Sequence, residues 1–183
     1  MKYFYFIILF LLMFISCVET NRSVQETENI YFPLKDYIEE LALNLDGKVL
    51  LKEVIVNGEK EEIIDTLSSE NWLRELDFFI QADINKPSLA AAYETQKNDR
   101  ELIHQLKKNE KGRVKKIVVN YSGGEVKDIT FISGSSNLFY STQTTGIIYN
   151  QGQGGEIENY VVETTQKVVF LKPNKMSITG YVK

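Results

Sequence analysis

Side chains able to do chemistry are few in this chain, and they are scattered. It carries one cysteine, Cys17, and one histidine, His104. A serine hydrolase would need His104 beside a serine, yet Ser133-Gly134-Ser135-Ser136 lacks the G-x-S-x-G frame and lies between β-type segments, not at a strand-to-helix elbow. A zinc site would need more imidazole or thiolate ligands than exist. Asp83 and Asn85 have the one-residue gap of a calcium loop, but Lys86 follows and the remaining ligands are missing. Gln151 to Gly155 shares only its glycine content with a phosphate loop, since no helix opens after it and no Lys-Ser or Lys-Thr closes it. Acids are plentiful, at 25 Asp and Glu, but none sits on a segment that demands burial. The sequence therefore points to no catalytic residue, no metal ligand and no cofactor, and the expectation is a protein that is not an enzyme.

Cys17 has a different context. Lys2 gives a short positive start, Tyr3 to Ile15 is an unbroken apolar run, and the small residue Ser16 precedes the cysteine. A run of this length suits the core of a secretory signal and falls short of the ~20 residues of a spanning helix. The arrangement resembles the bacterial lipoprotein signal. That resemblance implies cleavage before Cys17 and lipidation of its thiol, so that residues 1–16 are a signal peptide and the lipid bilayer is a partner. Two or more acyl chains hold firmly, each buried methylene contributing ~0.8 kcal/mol. The folded part is then left without a thiol for a disulfide or nucleophile.

Residues 17–29 read as the lipidated cysteine and a polar tether without apolar periodicity. About 12 flexible residues span roughly 20 Å, which keeps the domain close to the membrane. Only Glu19 is an acid close to Cys17, which favours a periplasm-facing position, in the outer membrane, over the cell surface. Residues 30–183 are enough for one domain with a core of its own. The formal charge of −4 becomes −5 once Lys2 leaves. An acidic domain without a long basic run is a poor ligand for nucleic acid, where neutralising phosphates dominates affinity.

The elements that position the remaining residues follow from periodicity. Pro33 opens a helix in which Leu34, Tyr37, Ile38, Leu41 and Leu45 share a face, and Asp46-Gly47 ends it. Lys48 to Val56 and Glu59 to Leu67 flank the turn dipeptide Asn57-Gly58, with acids on the return strand suggesting a guarded edge. Ser68 or Ser69 caps a second helix whose stripe includes Trp72, Leu76, Phe79 and Ile80, read as core, and which stops before Pro87. Leu89 to Tyr93 reads as a short helical turn and Asp99 to Lys108 as a strand, with His104 at the surface or partly buried. From Arg113 onward the pattern is β: Arg113 to Tyr121, Val126 to Ile132, Leu138 to Asn150 as one long strand or a bent pair interrupted at Gly146, Ile157 to Lys172, and Met176 to Val182. The expected fold is α+β, with two helices from the N-terminal half packed on a curved, mostly antiparallel meander of about six to eight strands.

The stretch D-I-N-K-P-S-L-A-A-A-Y from Asp83 to Tyr93, together with Asn137-Leu138-Phe139-Tyr140, Tyr160 and Gln166-Lys167-Val168, resembles a pattern in small uncharacterised lipoproteins of Bacteroidetes-type bacteria. The resemblance implies an envelope address and a helix-plus-meander fold, and carries no activity. Two functions are consistent with this reading. One is a membrane-tethered interaction domain that docks an envelope protein through an open sheet face or strand edge. The other is a carrier of a lipid or other apolar ligand in a cavity lined by Tyr121, Phe131, Tyr140, Tyr149 and Phe170. Simple core packing of those aromatics is the competing explanation.

Overall fold

The computed structural model describes residues 29–151 and 156–183. Cys17, the signal-like run, the tether through residue 28 and most of the Gln151–Gly155 loop lie outside those residues. One helix, α1 (Leu34–Asn44), precedes a hairpin of β1 (Val49–Val56) and β2 (Glu59–Thr66). Two short helices follow, α2 (Ser69–Glu75) and α3 (Asp77–Ile80), then a 3-10 turn at Pro87–Leu89. The rest is strand: β3 (Tyr93–Lys97), β4 (Glu101–Leu106), β5 (Val114–Ser122), β6 (Glu125–Ser136), β7 (Tyr140–Gln151), β8 (Glu156–Val168) and β9 (Asn174–Val182).

All nine strands described form one antiparallel sheet in the order β2-β1-β9-β8-β7-β6-β5-β4-β3. The last seven are a plain meander, and the β1–β2 hairpin joins it along β9. Short connections favour this arrangement, because each strand pairs with the one just made. Asn57 and Gly58 both have positive φ, 54° and 96°, as a type I′ turn requires, and they hold Val56 opposite Glu59. Gly123-Gly124 makes the equivalent turn between β5 and β6.

The core lies between the helices and one face of the sheet. Ile117 and Val119, Ile129 and Phe131, Ile148, Tyr160 and Val162, and Ile178 alternate with less buried residues along successive strands. Leu34, Ile38, Leu41 and Ala42 cover them from α1, and Trp72 and Phe79 from the shorter helices. Phe79 meets Phe131 edge-on at 5.2 Å and Tyr160 at 6.4 Å. A half-buried triad ties α2 to the sheet: Glu75 accepts from the Tyr160 hydroxyl, and Lys52 Nζ lies 2.6 Å from the same carboxylate.

Several expectations are corrected. The sheet has nine strands, not six to eight, because Tyr93 opens β3 where a helical turn was expected. The helical turn sits earlier, at Pro87–Leu89. The second helix is two pieces. Leu76 takes φ −91° and ψ 9°, and the Phe79 amide bonds back only three residues to its carbonyl. Gly146 does not break β7, which runs on from Tyr140 to Gln151. The strand expected to reach Lys172 ends at Val168.

Candidate functional site

The hydrogen bonds of the stretch from Asp83 to Tyr93 hold the chain's entry into α1. Asp83 Oδ2 accepts from the Lys35 amide at 3.1 Å, satisfying one of the donors left free at a helix start. Asn85 Oδ1 accepts from the Tyr31 amide at 2.9 Å, and its Nδ2 donates to the Phe32 carbonyl at 3.0 Å. The Tyr31 hydroxyl lies 3.0 Å from the carbonyls of both Leu89 and Ala90. Its ring stands edge-on to Tyr93 and to His104. Burial pushes the Tyr93 phenol up to about 12, with Tyr31 adding to the shift.

His104 is buried, with 1 % of its surface exposed, so the expectation of a surface or partly buried ring understated its burial. Its Nε2 accepts from the Phe32 amide at 3.0 Å, and Nδ1 faces Thr95 Oγ1 at 2.9 Å. Both nitrogens are thus engaged with the ring neutral, and burial holds its pKa below the usual histidine value. No group of three or more His, Cys, Asp or Glu is placed to hold a metal among the described residues.

The five aromatics expected to line a cavity do not come together. Phe131 is core, and Tyr121 packs at the core's margin. Tyr149 stands half-exposed on the opposite sheet face, in a cross-strand row with Asn159 and Tyr181. Tyr140 and Phe170 sit at one end of the sheet, beyond the reach of the helices. Core packing explains Phe131 and contributes to placing Tyr121. It explains neither Tyr140 nor Phe170.

That end of the sheet carries the feature most in need of explanation. Tyr140 opens β7 opposite Val168, the last residue of β8, so the β6–β7 and β8–β9 turns are neighbours. The Val169 amide donates to the Phe139 carbonyl at 2.9 Å and joins them into a single tip. Each turn is built. Asn137 Oδ1 accepts from the amides of Phe139 and Tyr140, at 2.8 and 3.0 Å, and the Leu171 amide closes on the Val168 carbonyl at 3.1 Å. The side chains on this ordered frame are apolar and in water: Leu138 is 88 % exposed, Phe139 72 % and Phe170 103 %, with Leu171, Val169 and Val168 also exposed. Phe170 has φ +67°, at a turn position where glycine or asparagine is the usual occupant. A bulky ring in a strained conformation, wholly outside the core, gains nothing from the fold that holds it.

Leu138, Phe139, Val169 and Leu171 were not singled out as site residues from sequence. Val168 and Phe170 share one strand phase and Val169 and Leu171 the other, so all four read as a strand covered on both sides. The signal that separates the two cases is Asn137 on one side and Lys172-Pro173 on the other, which mark turns closing on apolar residues.

Comparison with protein-family models, with curated proteins and with solved structures finds no match for this chain.

Proposed function

We propose that the chain is a membrane-anchored lipoprotein of a bacterial cell envelope, of the kind its sequence pattern resembles, whose folded part is a non-catalytic interaction domain. The exposed apolar tip at Leu138, Phe139, Val169, Phe170 and Leu171 is its contact surface. The observation that carries the reading is Phe170: fully exposed, at positive φ, on a turn fixed by its own hydrogen bonds. Scattered exposed hydrophobics need no explanation, but a contiguous apolar cluster on an ordered frame marks a contact site. Cys17 supports the tether, and the engagement of both His104 nitrogens in structural hydrogen bonds supports a role without catalysis.

The test is photo-crosslinking in intact cells, with a benzophenone amino acid placed at position 170 or 139 of the full chain. Position 64 serves as a control, because Ile64 is 73 % exposed but lies on the β2 edge, away from the β8–β9 turn. The reading expects a discrete adduct, to protein or to lipid, from 170 and 139 and none from 64. Equal labelling at all three positions, or none at any, contradicts it.

A further inference from the structure

The charges around the tip say what kind of surface would cover it. The chain as a whole is acidic, at −4, yet from Ile129 to Gly155 it has no charged residue at all. From Thr164 to Lys183 it carries four lysines and no acid. Three of these, Lys167, Lys172 and Lys175, flank the β8–β9 turn, and all are exposed. None of the three takes part in an ion pair within 4.0 Å among the described residues. Lys167 also lines a groove of about 540 Å³ just behind the apolar residues, together with Lys115, Ser135, Ser141 and Thr142.

From outside inward, the end of the sheet therefore presents apolar side chains, then lysines and hydroxyls. This is the order of an acyl layer and an anionic headgroup layer. Aromatic and aliphatic side chains enter the acyl boundary, while lysines stay at headgroup depth and extend their ammonium groups to phosphate. An apolar pocket on a protein partner would account for Phe170 and Leu138 but not for the three exposed lysines around them, which outnumber the acid Glu163 in the groove it shares with Lys172 and Lys175.

We propose that the tip of the β6–β7 and β8–β9 turns inserts into the interface of an anionic lipid bilayer. Phe139, Phe170, Leu138 and Leu171 enter the acyl boundary, and Lys167, Lys172 and Lys175 contact lipid phosphate. This rests on the reading of the tip as the contact surface and names its partner. The domain would then stand on the membrane at two points, the anchored Cys17 and the tip, with its sheet axis set by both.

The test uses the full chain reconstituted in vesicles and the quenching of indole fluorescence by brominated lipid. The native chain supplies the baseline, since its only tryptophan, Trp72, is wholly buried in the core. Phe170→Trp and, as a control, Ile64→Trp each add one reporter. On vesicles of one part phosphatidylglycerol to three of brominated phosphatidylcholine, the indole at 170 should be quenched and blue-shifted, and that at 64 should match the baseline. Adding Lys167→Gln, Lys172→Gln and Lys175→Gln should lower the inserted-to-free ratio by roughly fivefold per lysine, from the ~1 kcal/mol each contributes near an anionic surface. An unquenched indole at 170 overturns the proposal. Quenching that is indifferent both to the lysines and to the anionic lipid overturns the part assigned to headgroups. A discrete protein adduct from position 170 in cells, with no quenching on vesicles, would leave the tip as the contact surface while excluding the bilayer as its partner.

Discussion

Gly146 lies directly across from Phe131 on the neighbouring strand, and the phenyl ring occupies the space a side chain at 146 would need. A Cβ at 146 would fall 2.2 Å from Phe131 Cε1, far inside contact distance. Tyr160 uses Gly180 in the same way, its ring 2.2 Å from where a Cβ would be. Bare backbone on one strand makes room for the aromatic ring of the next, and both rings meet Phe79 at close to a right angle. Gly146→Ala should cost about 1–3 kcal/mol by overpacking. Combining it with Phe131→Leu should cost less than the two separate losses added together, as urea unfolding of the three variants would show.

The Lys52–Glu75–Tyr160 triad fixes α2 on the sheet, and its charges are largely withdrawn from water, at 18 % and 15 % side-chain exposure for Lys52 and Glu75. Removing one partner strands the other. Lys52→Met should therefore lose roughly 1–3 kcal/mol, below the full cost for a completely buried pair because some solvent remains. Adding Glu75→Gln should recover part of that loss in equilibrium unfolding. An additive double variant would show that the pair is not coupled.

His104 makes stability depend on pH in a defined direction. The folded ring accepts a hydrogen bond at Nε2 and is held below its ordinary pKa by burial, so the unfolded chain binds a proton that the folded chain refuses. Its contribution is complete above the unfolded value of about 6.5 and declines as pH falls from there toward the lower folded value. Unfolding midpoints should drop between pH 7 and pH 5.5, and His104→Gln should flatten that drop.

Asn85 secures the segment before α1 through Tyr31 and Phe32. Asn85→Ala leaves the Tyr31 amide and the Phe32 carbonyl without that partner, which should cost about 1–3 kcal/mol. Hydrogen exchange should speed up across residues 31–38 more than in β6 or β7.

Phe170 is the exception to all of these, because the fold does not need its ring. At φ +67° a side chain costs about 1–2 kcal/mol that glycine avoids, and glycine's extra freedom in the unfolded chain offsets part of the gain. Phe170→Gly should raise stability by up to about 1 kcal/mol while removing the contact. A substitution that stabilises and disables together is the signature of a residue held for contact.

Much of the architecture was legible in the chain because its punctuation is local. Asn57-Gly58 and Gly123-Gly124 announce their turns, the β2 acids announce an edge, and Leu34, Ile38 and Leu41 announce a helix face. What was hidden depends on residues far apart in sequence. Gly146 reads as a strand break unless one knows that Phe131 lies across from it. Leu89 to Tyr93 reads as a short helical turn until the pairing of Tyr93 with Leu106 is seen. The tip was the hardest to read, since apolar residues on a turn and apolar residues in a buried strand look alike until the strand's end is fixed. The Asp83–Tyr93 pattern was visible as a motif, and its work is structural.

The most direct measurement replaces four tip residues together, Leu138→Ser, Phe139→Ser, Phe170→Ser and Leu171→Ser, and follows two readouts on the same full chain. One is the urea unfolding midpoint, and the other is the yield of cross-linked adduct from a benzophenone placed at Tyr140, at the edge of the tip. The account predicts a midpoint equal to or slightly above that of the unsubstituted chain, with the adduct lost. A chain that unfolds at lower urea would show that these residues hold the fold together, and an undiminished adduct would show that they are not the surface through which it works.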